Sequence, residues 1–214
     1  MAEITTLRTG RGKRINVFLD GKFAFSLGAE VVVKENLQVG QELSSSQIEA
    51  LTHSDHYHRC FDAAVHYLGY RPRSESEMRV RLHRRGFTDE SIEAVISRLK
   101  EQGLLDDMAF AQFWKDNRES FSPRSQRLAR LELRQKGVAV DIIDEVVGTI
   151  DDEDSAYQAA VSKAGKLSLS DYETFRRRLG EYLRRRGFDY GVINQTVERV
   201  WQEHGGRAKG SILS

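Results

Sequence analysis

One cysteine and two prolines are all that the 214 residues contain of either type. The lone thiol, Cys60, cannot close an internal disulfide, so nothing calls for an oxidising compartment. Scarce proline leaves long stretches free to run as helix. No apolar run approaches the length that spans a bilayer, and the N-terminus MAEITTLRTGRGKR lacks the apolar core of a signal peptide. The expected location is therefore cytoplasmic, with no membrane partner. A phosphate-binding glycine loop, a nucleophile motif and a specific zinc signature are also missing. No catalytic residue and no cofactor is assigned, and an enzyme ranks last among the function classes. His53, His56, His58 and Cys60 stand close together in HSDHYHRC, but their spacing spreads them around several sides of a helix and no second cluster completes a site. No metal is expected.

What the chain does have is charge, 30% of residues against 39% hydrophobic, the balance of a soluble globular protein. The first 50 residues differ from the rest. Ile15–Leu19 and Phe23–Leu27 are β-prone runs around Asp20-Gly21, a dipeptide suited to the positive φ of a type I′ hairpin turn. Ile4–Leu7 adds a third candidate strand, and Ser46 or a neighbouring serine can cap a short helix through Leu51.

From His58 onward the signals are helical and repeat. Gly86, Gly137 and Gly187 lie 51 and 50 residues apart. Each is preceded four residues earlier by Leu82, Leu133 or Leu183, and immediately by Arg85, Lys136 or Arg186. Downstream, Ile92, Val95, Ile96 and Leu99 align with Ile143, Val146, Val147 and Ile150, and with Ile193, Thr196, Val197 and Val200. Each set has the i, i+3, i+4, i+7 stripe of an amphipathic helix. Phe61, Phe110 and Tyr157 each open an apolar stretch after a small residue, Cys60, Ala109 or Ala156. Ser74-x-x-Glu77 and Ser170-x-x-Glu173 read as capping boxes, and Ser122-Pro123 as a cap followed by proline at the first helical position. Thr88 and Asp189 can cap third helices, where the second repeat has Ala139. The repeat glycines sit where a helix stops and reverses. The expected fold is mainly α: three tandem three-helix repeats in a curved, elongated array, preceded by a small β-hairpin and helix unit. The expected boundaries are 1–53 for the N-terminal unit, 54–105, 106–152 and 153–204 for the repeats, and a disordered tail from 205 to 214.

Charge is segregated within each repeat. The middle helices carry Arg71, Arg73, Arg79, Arg81, Arg84 and Arg85; then Arg124, Arg127, Arg130, Arg134 and Lys136; then Arg176, Arg177, Arg178, Arg184, Arg185 and Arg186. Asp141–Asp154 holds seven acidic residues and no basic one. Asp106-Asp107 and Asp151-Asp152 fall at inter-repeat turns, where acidic residues serve helix starts. Trp114 and Trp201 end helical stripes and read as core. The dipole accounts for one basic residue before each glycine. The remainder suits either wet faces laced with weak ion pairs or a strip presented to a polyanion or an acidic protein groove. Apart from Arg81, these basic residues form the candidate partner-binding set.

RPRSESEMRVRLHRRGF (Arg71–Phe87), LKEQGLLDDMAFAQFW (Leu99–Trp114) and RLELRQKGV (Arg130–Val138) resemble the bacterial RecX regulatory proteins, and NVFLDGKFAFSL resembles the hairpin extension of the family's longer members. The likeness runs from about Ile4 to Glu203; the second repeat departs from it, with Ser122-Pro123 and Leu128 where members often carry glycine-proline and isoleucine. The resemblance implies a non-enzymatic modulator, expected to act as a monomer, that binds the RecA recombinase and its filament on single-stranded DNA. It blocks filament extension or promotes disassembly, so ATP hydrolysis, strand exchange and coprotease activity fall, and recombination and the SOS response are damped. Direct binding of single-stranded DNA, and a generic helical adaptor for an acidic partner, stand as the alternatives.

Overall fold

The computed structural model describes residues 1–167 and 171–210, with side chains through residue 203. Strands β1 (Ala2–Thr9), β2 (Arg14–Leu19) and β3 (Lys22–Gly28) precede helix α1 (Ala29–Lys34) and the short β4 (Glu42–Leu43). The sheet is antiparallel in the order β3-β2-β1-β4. Asp20 and Gly21 both have positive φ, 48° and 76°, which is the I′ geometry their sequence favours. One face of the sheet buries Ile4, Val17, Leu27 and Leu43 with Val31, Leu37 and Leu51.

Helix α2 (Ser45–Leu68) begins with Ser44 accepting from the Gln47 backbone N–H while the Gln47 side chain accepts from the Ser44 N–H. It is one continuous element of 24 residues, so the short helix expected to end near Leu51 instead runs on into the first repeat. Arg14 on β2 meets Asp55 on α2 at 3.0 Å, and Asp55 also accepts the Gly28 N–H at 2.6 Å. This buried carboxylate fixes the sheet to the helix, a role the sequence did not announce.

Helices α3 (Glu75–His83) and α4 (Asp89–Glu101) complete the first repeat; α5 (Asp107–Phe121), α6 (Gln126–Gln135) and α7 (Val140–Val147) form the second; α8 (Asp152–Ala164), α9 (Tyr172–Arg185) and α10 (Tyr190–Gly210) form the third. The twelve residues aligned on the third helices are all buried. Each repeat encloses its own core, one around Met78, Leu82 and Ile96, one around Phe110, Leu133 and Ile143, and one around Phe175, Leu179 and Leu183. The chain divides into two compact units, Met1–Arg71 with Met78–Leu105, and Pro72–Glu77 with the residues from Asp106 onward.

Helix ends follow local chemistry. Thr88 and Asp189 cap α4 and α10 by accepting from Ser91 N and Val192 N, whereas Ala139 offers α7 no side-chain cap. Four expectations need correction. Ser122 ends α5, and α6 is capped instead by Ser125, which accepts from Leu128 N at 3.2 Å; Pro123 therefore lies in the connection, not at the first helical position. Ser170 lies outside the described residues, and α9 is capped by Asp171. Ala109 is exposed; the small buried counterpart of Cys60 and Ala156 is Ala111. Helix α10 continues to Gly210 where a disordered tail was expected from 205, while 211–214 lie outside the described residues.

Candidate partner-binding surface

Each repeat glycine ends a middle helix, with φ of 82°, 75° and 92° at Gly86, Gly137 and Gly187. Two of these turns are also joints. The Lys136 carbonyl accepts from Ser74 Oγ at 2.6 Å, and the Arg186 carbonyl accepts from Ser125 N at 3.1 Å. Ser74 and Ser125 stand 51 residues apart at the starts of α3 and α6, so the two joints hold equivalent places, the first made by the serine hydroxyl and the second by the serine backbone N–H. The residue before each glycine reinforces it. Lys136 Nζ reaches Glu77 at 2.5 Å, and Arg186 Nη1 donates to Ser122 Oγ and the Pro123 carbonyl, both at 2.9 Å.

The paired aspartates serve these joints too. Asp106 and Asp151 cap α5 and α8, while Asp107 and Asp152 accept the N–H of Glu75 and Gln126 at 2.8 and 2.7 Å, capping the preceding repeat's middle helix. Burial holds the Asp152 carboxyl above the usual carboxylate range against the opposing bond from Gln126 N. A half-buried network links α5, α6 and the connection between them in the second repeat. Glu132 accepts from Trp114 Nε1 at 2.9 Å, from Arg118 Nε at 2.8 Å and from Arg124. Arg118 and Lys136 also lie over the half-buried Trp114 ring, at 4.6 and 5.0 Å. Desolvation, with Arg118 and Arg186 nearby, lowers the proton affinity of Arg124.

The candidate basic residues therefore separate into two populations. Arg79 pairs with Glu93, Arg130 with Asp144, Arg124 with Glu132 and Lys136 with Glu77. Arg186 is held as above and lies over Tyr182; Arg127 reaches the Gly187 carbonyl at 3.5 Å. Arg85, with Arg81, stacks on Tyr67, and Arg176 lies 3.6 Å from Glu173. Arg71 and Arg73 are half-buried with interactions of their own. Against these, Arg84, Arg134, Arg177, Arg178, Arg184 and Arg185 are exposed and have no ion pair among the described residues.

The histidine cluster is dispersed. His56 Nε2 accepts from Thr88 N and packs edge-on to Phe87, His53 lies 3.5 Å from Glu90, and Cys60 is fully buried. No group of three His, Cys, Asp or Glu residues is placed to hold a metal ion among the described residues. Nor is any described helix long and apolar enough to cross a membrane. Sequence reasoning missed a groove on the third repeat between α9 and α10, with Gly180 and Val197 in its wall and Tyr190 at its edge. Its signal was available, in the pairing positions where the third repeat breaks the pattern of the other two.

The chain matches the model of the regulatory protein RecX N-terminal domain over residues 2–44, and those of the first, second and third RecX three-helix domains over 60–99, 106–147 and 151–197. A regulatory protein RecX from Clostridium botulinum strain Eklund 17B is 32% identical over 208 residues, covering 94% of this chain and 97% of that protein. One from Bacillus velezensis is 32% identical over 205 residues, covering 94% and 78%. In fold, the chain is similar to a crystal structure of regulatory protein RecX, with a TM-score of 0.65 and 24% identity over 92% of this chain and 100% of that one. The RecX of Lactobacillus salivarius gives a TM-score of 0.57 and 21% identity over 68% and 97%. With four matched domains in order and relatives at this identity over nearly all its length, the chain belongs to the RecX family of regulatory proteins.

Proposed function

We propose that this chain is a non-enzymatic modulator of a RecA-type recombinase, acting in the cytoplasm as a monomer. It binds the recombinase and its filament on single-stranded DNA, blocks extension or promotes disassembly, and so lowers ATP hydrolysis, strand exchange and coprotease activity, damping recombination and the SOS response. Family membership supports the choice of partner class. The observation that carries the working face is the division among its basic residues. Many are occupied by joints and ion pairs, whereas Arg84, Arg134, Arg177, Arg178, Arg184 and Arg185 are exposed and have no ion pair among the described residues. Arginine forks suit the carboxylates and phosphates of such a partner.

The test is co-sedimentation with preformed recombinase filaments and with naked single-stranded DNA at two salt concentrations, alongside the DNA-dependent ATPase. The modulator reading expects filament binding and ATPase inhibition that fall together when Arg134, Arg177, Arg178, Arg184 and Arg185 are changed to glutamate. Equal binding to naked DNA, with a steep salt dependence on it, would instead favour the nucleic-acid reading. Inhibition unchanged in the reversed variant would remove these arginines from the mechanism.

A further inference from the structure

The middle and third helices of the first two repeats are tied by the same ion pair. Seven residues before the repeat glycine stands an arginine, Arg79 or Arg130; seven after it stands a carboxylate, Glu93 or Asp144. The third repeat has neither. Its corresponding residues are Gly180 and Asn194, and both line the groove between α9 and α10.

Nothing in the backbone requires that glycine. Gly180 lies inside α9 with ordinary helical φ, and a Cβ there would meet only Ile193 Cγ2, at the ordinary contact distance of 3.6 Å. A helix-interior glycine weakens its helix, and here no turn or close approach compensates. What it does provide is room. The slot filled by an arginine stem in the first two repeats is open here, walled by Ile193 and Val197, with Arg177 and Arg184 on the α9 side. Tyr190, 72% exposed, stands at the edge, and hydrogen bonds from Asn194 and Arg176 hold its phenol below the usual tyrosine range.

We infer that this groove is a docking slot for a protein partner's acidic side chain, seated over Gly180 with an apolar neighbour against Ile193 and Val197. This rests on the recombinase-modulator reading and names the part of the surface where that partner is gripped. Two features favour a peptide over a nucleic-acid strand. Arg177 and Arg184 have no ion pair among the described residues and suit an isolated carboxylate. Glu173 and Glu181 also line the groove, and their charges repel the closely spaced phosphates of a strand while offering acceptors to a peptide's N–H groups.

The decisive variant is G180R/N194E, which installs the ion pair of the other repeats and leaves net charge unchanged; G180L fills the slot without charge. Both are expected to melt no lower than wild type. Both should bind recombinase filaments on single-stranded DNA at least about tenfold more weakly, with binding to a naked oligonucleotide unchanged. Filament affinity retained by the folded variants overturns the proposal, and so does an equal loss on naked oligonucleotide, which would make the occupant a nucleic acid. A second measurement is independent of the recombinase. An acetylated peptide of alternating glutamate and leucine should shift the Gly180 and Asn194 amide resonances of wild type, and G180L should not respond at the equivalent positions. If wild type ignores filaments, the modulator reading fails while the peptide still decides the slot; absence of any shift overturns the slot alone.

Discussion

A methyl group added at Gly137 would overlap Ser76, and at Gly187 it would sit 2.5 Å from Ser125 Oγ and 2.8 Å from Leu128 Cβ, yet at Gly86 it would meet nothing within 4 Å. All three glycines adopt the left-handed conformation, so alanine carries the same backbone strain of about 1–2 kcal/mol at each. Overpacking adds about 1–3 kcal/mol more at the two joints alone. Urea denaturation of the three single alanine variants should therefore leave Gly86→Ala clearly the most stable. The turn itself was readable from the glycine and the basic residue before it. The joint was not, because its partner serine lies about 60 residues away in the chain and nothing local marks the approach. Cys60 shows a second residue-scale effect. Burial pushes its thiol up to about 11 from 9.0, so the native state prefers the neutral form. Its contribution to stability is present below the unfolded value of 9.0 and is lost as pH rises toward about 11. Cys60→Ala, matching the buried alanines Ala111 and Ala156, should flatten that alkaline decline relative to wild type.

Among elements, α7 starts without a side-chain cap. Its N-cap residue, Ala139, has the extended geometry of a cap, φ −65° and ψ 149°, and supplies no acceptor. Ala139→Ser should raise stability by about 0.5–1 kcal/mol in thermal or chemical denaturation, the usual difference between a hydroxyl cap and alanine. This deficit was legible in the sequence because caps are local, and so were Thr88 and Asp189. The start of α6 was misjudged for an instructive reason. Ser122-Pro123 carries a good local signal, but Ser125 has the further bond from its N–H to the Arg186 carbonyl, and the tertiary contact fixes the boundary. The same logic separates the two aspartates of each Asp-Asp pair, one capping its own helix and the other capping the preceding repeat's middle helix. Sequence suggested a structural role for both, without distinguishing their targets.

For the molecule as a whole, charge has two jobs that composition merges. Reversing Arg134, Arg177, Arg178, Arg184 and Arg185, all exposed, should change folding stability by no more than about 0.5 kcal/mol per site. Reversing Arg124 and Arg186 instead sets new carboxylates against Glu132 and the Pro123 carbonyl, and should lower the melting temperature sharply. Circular dichroism melts of the two variants make the comparison directly. The repeat period, the helical class and the N-terminal hairpin were visible in the chain because each depends on short-range pattern. Which arginines remain available was not, because pairing depends on what the neighbouring helix brings. The third repeat also departs from the others in one further respect. Its first helix lies 45 residues after that of the second repeat by the spacing of Ala111 and Ala156, but its glycine lies 50 after, and the extra length includes an added turn at the start of α9. The place of Ser74 and Ser125 is taken there by the fully buried Phe175. The Phe175 N–H is bonded within its own helix to the Asp171 carbonyl, so it has no counterpart of the Ser125 bond to a neighbouring turn. A repeat duplicated from either of the first two would bring such a serine with it, whereas one duplicated from the third would not.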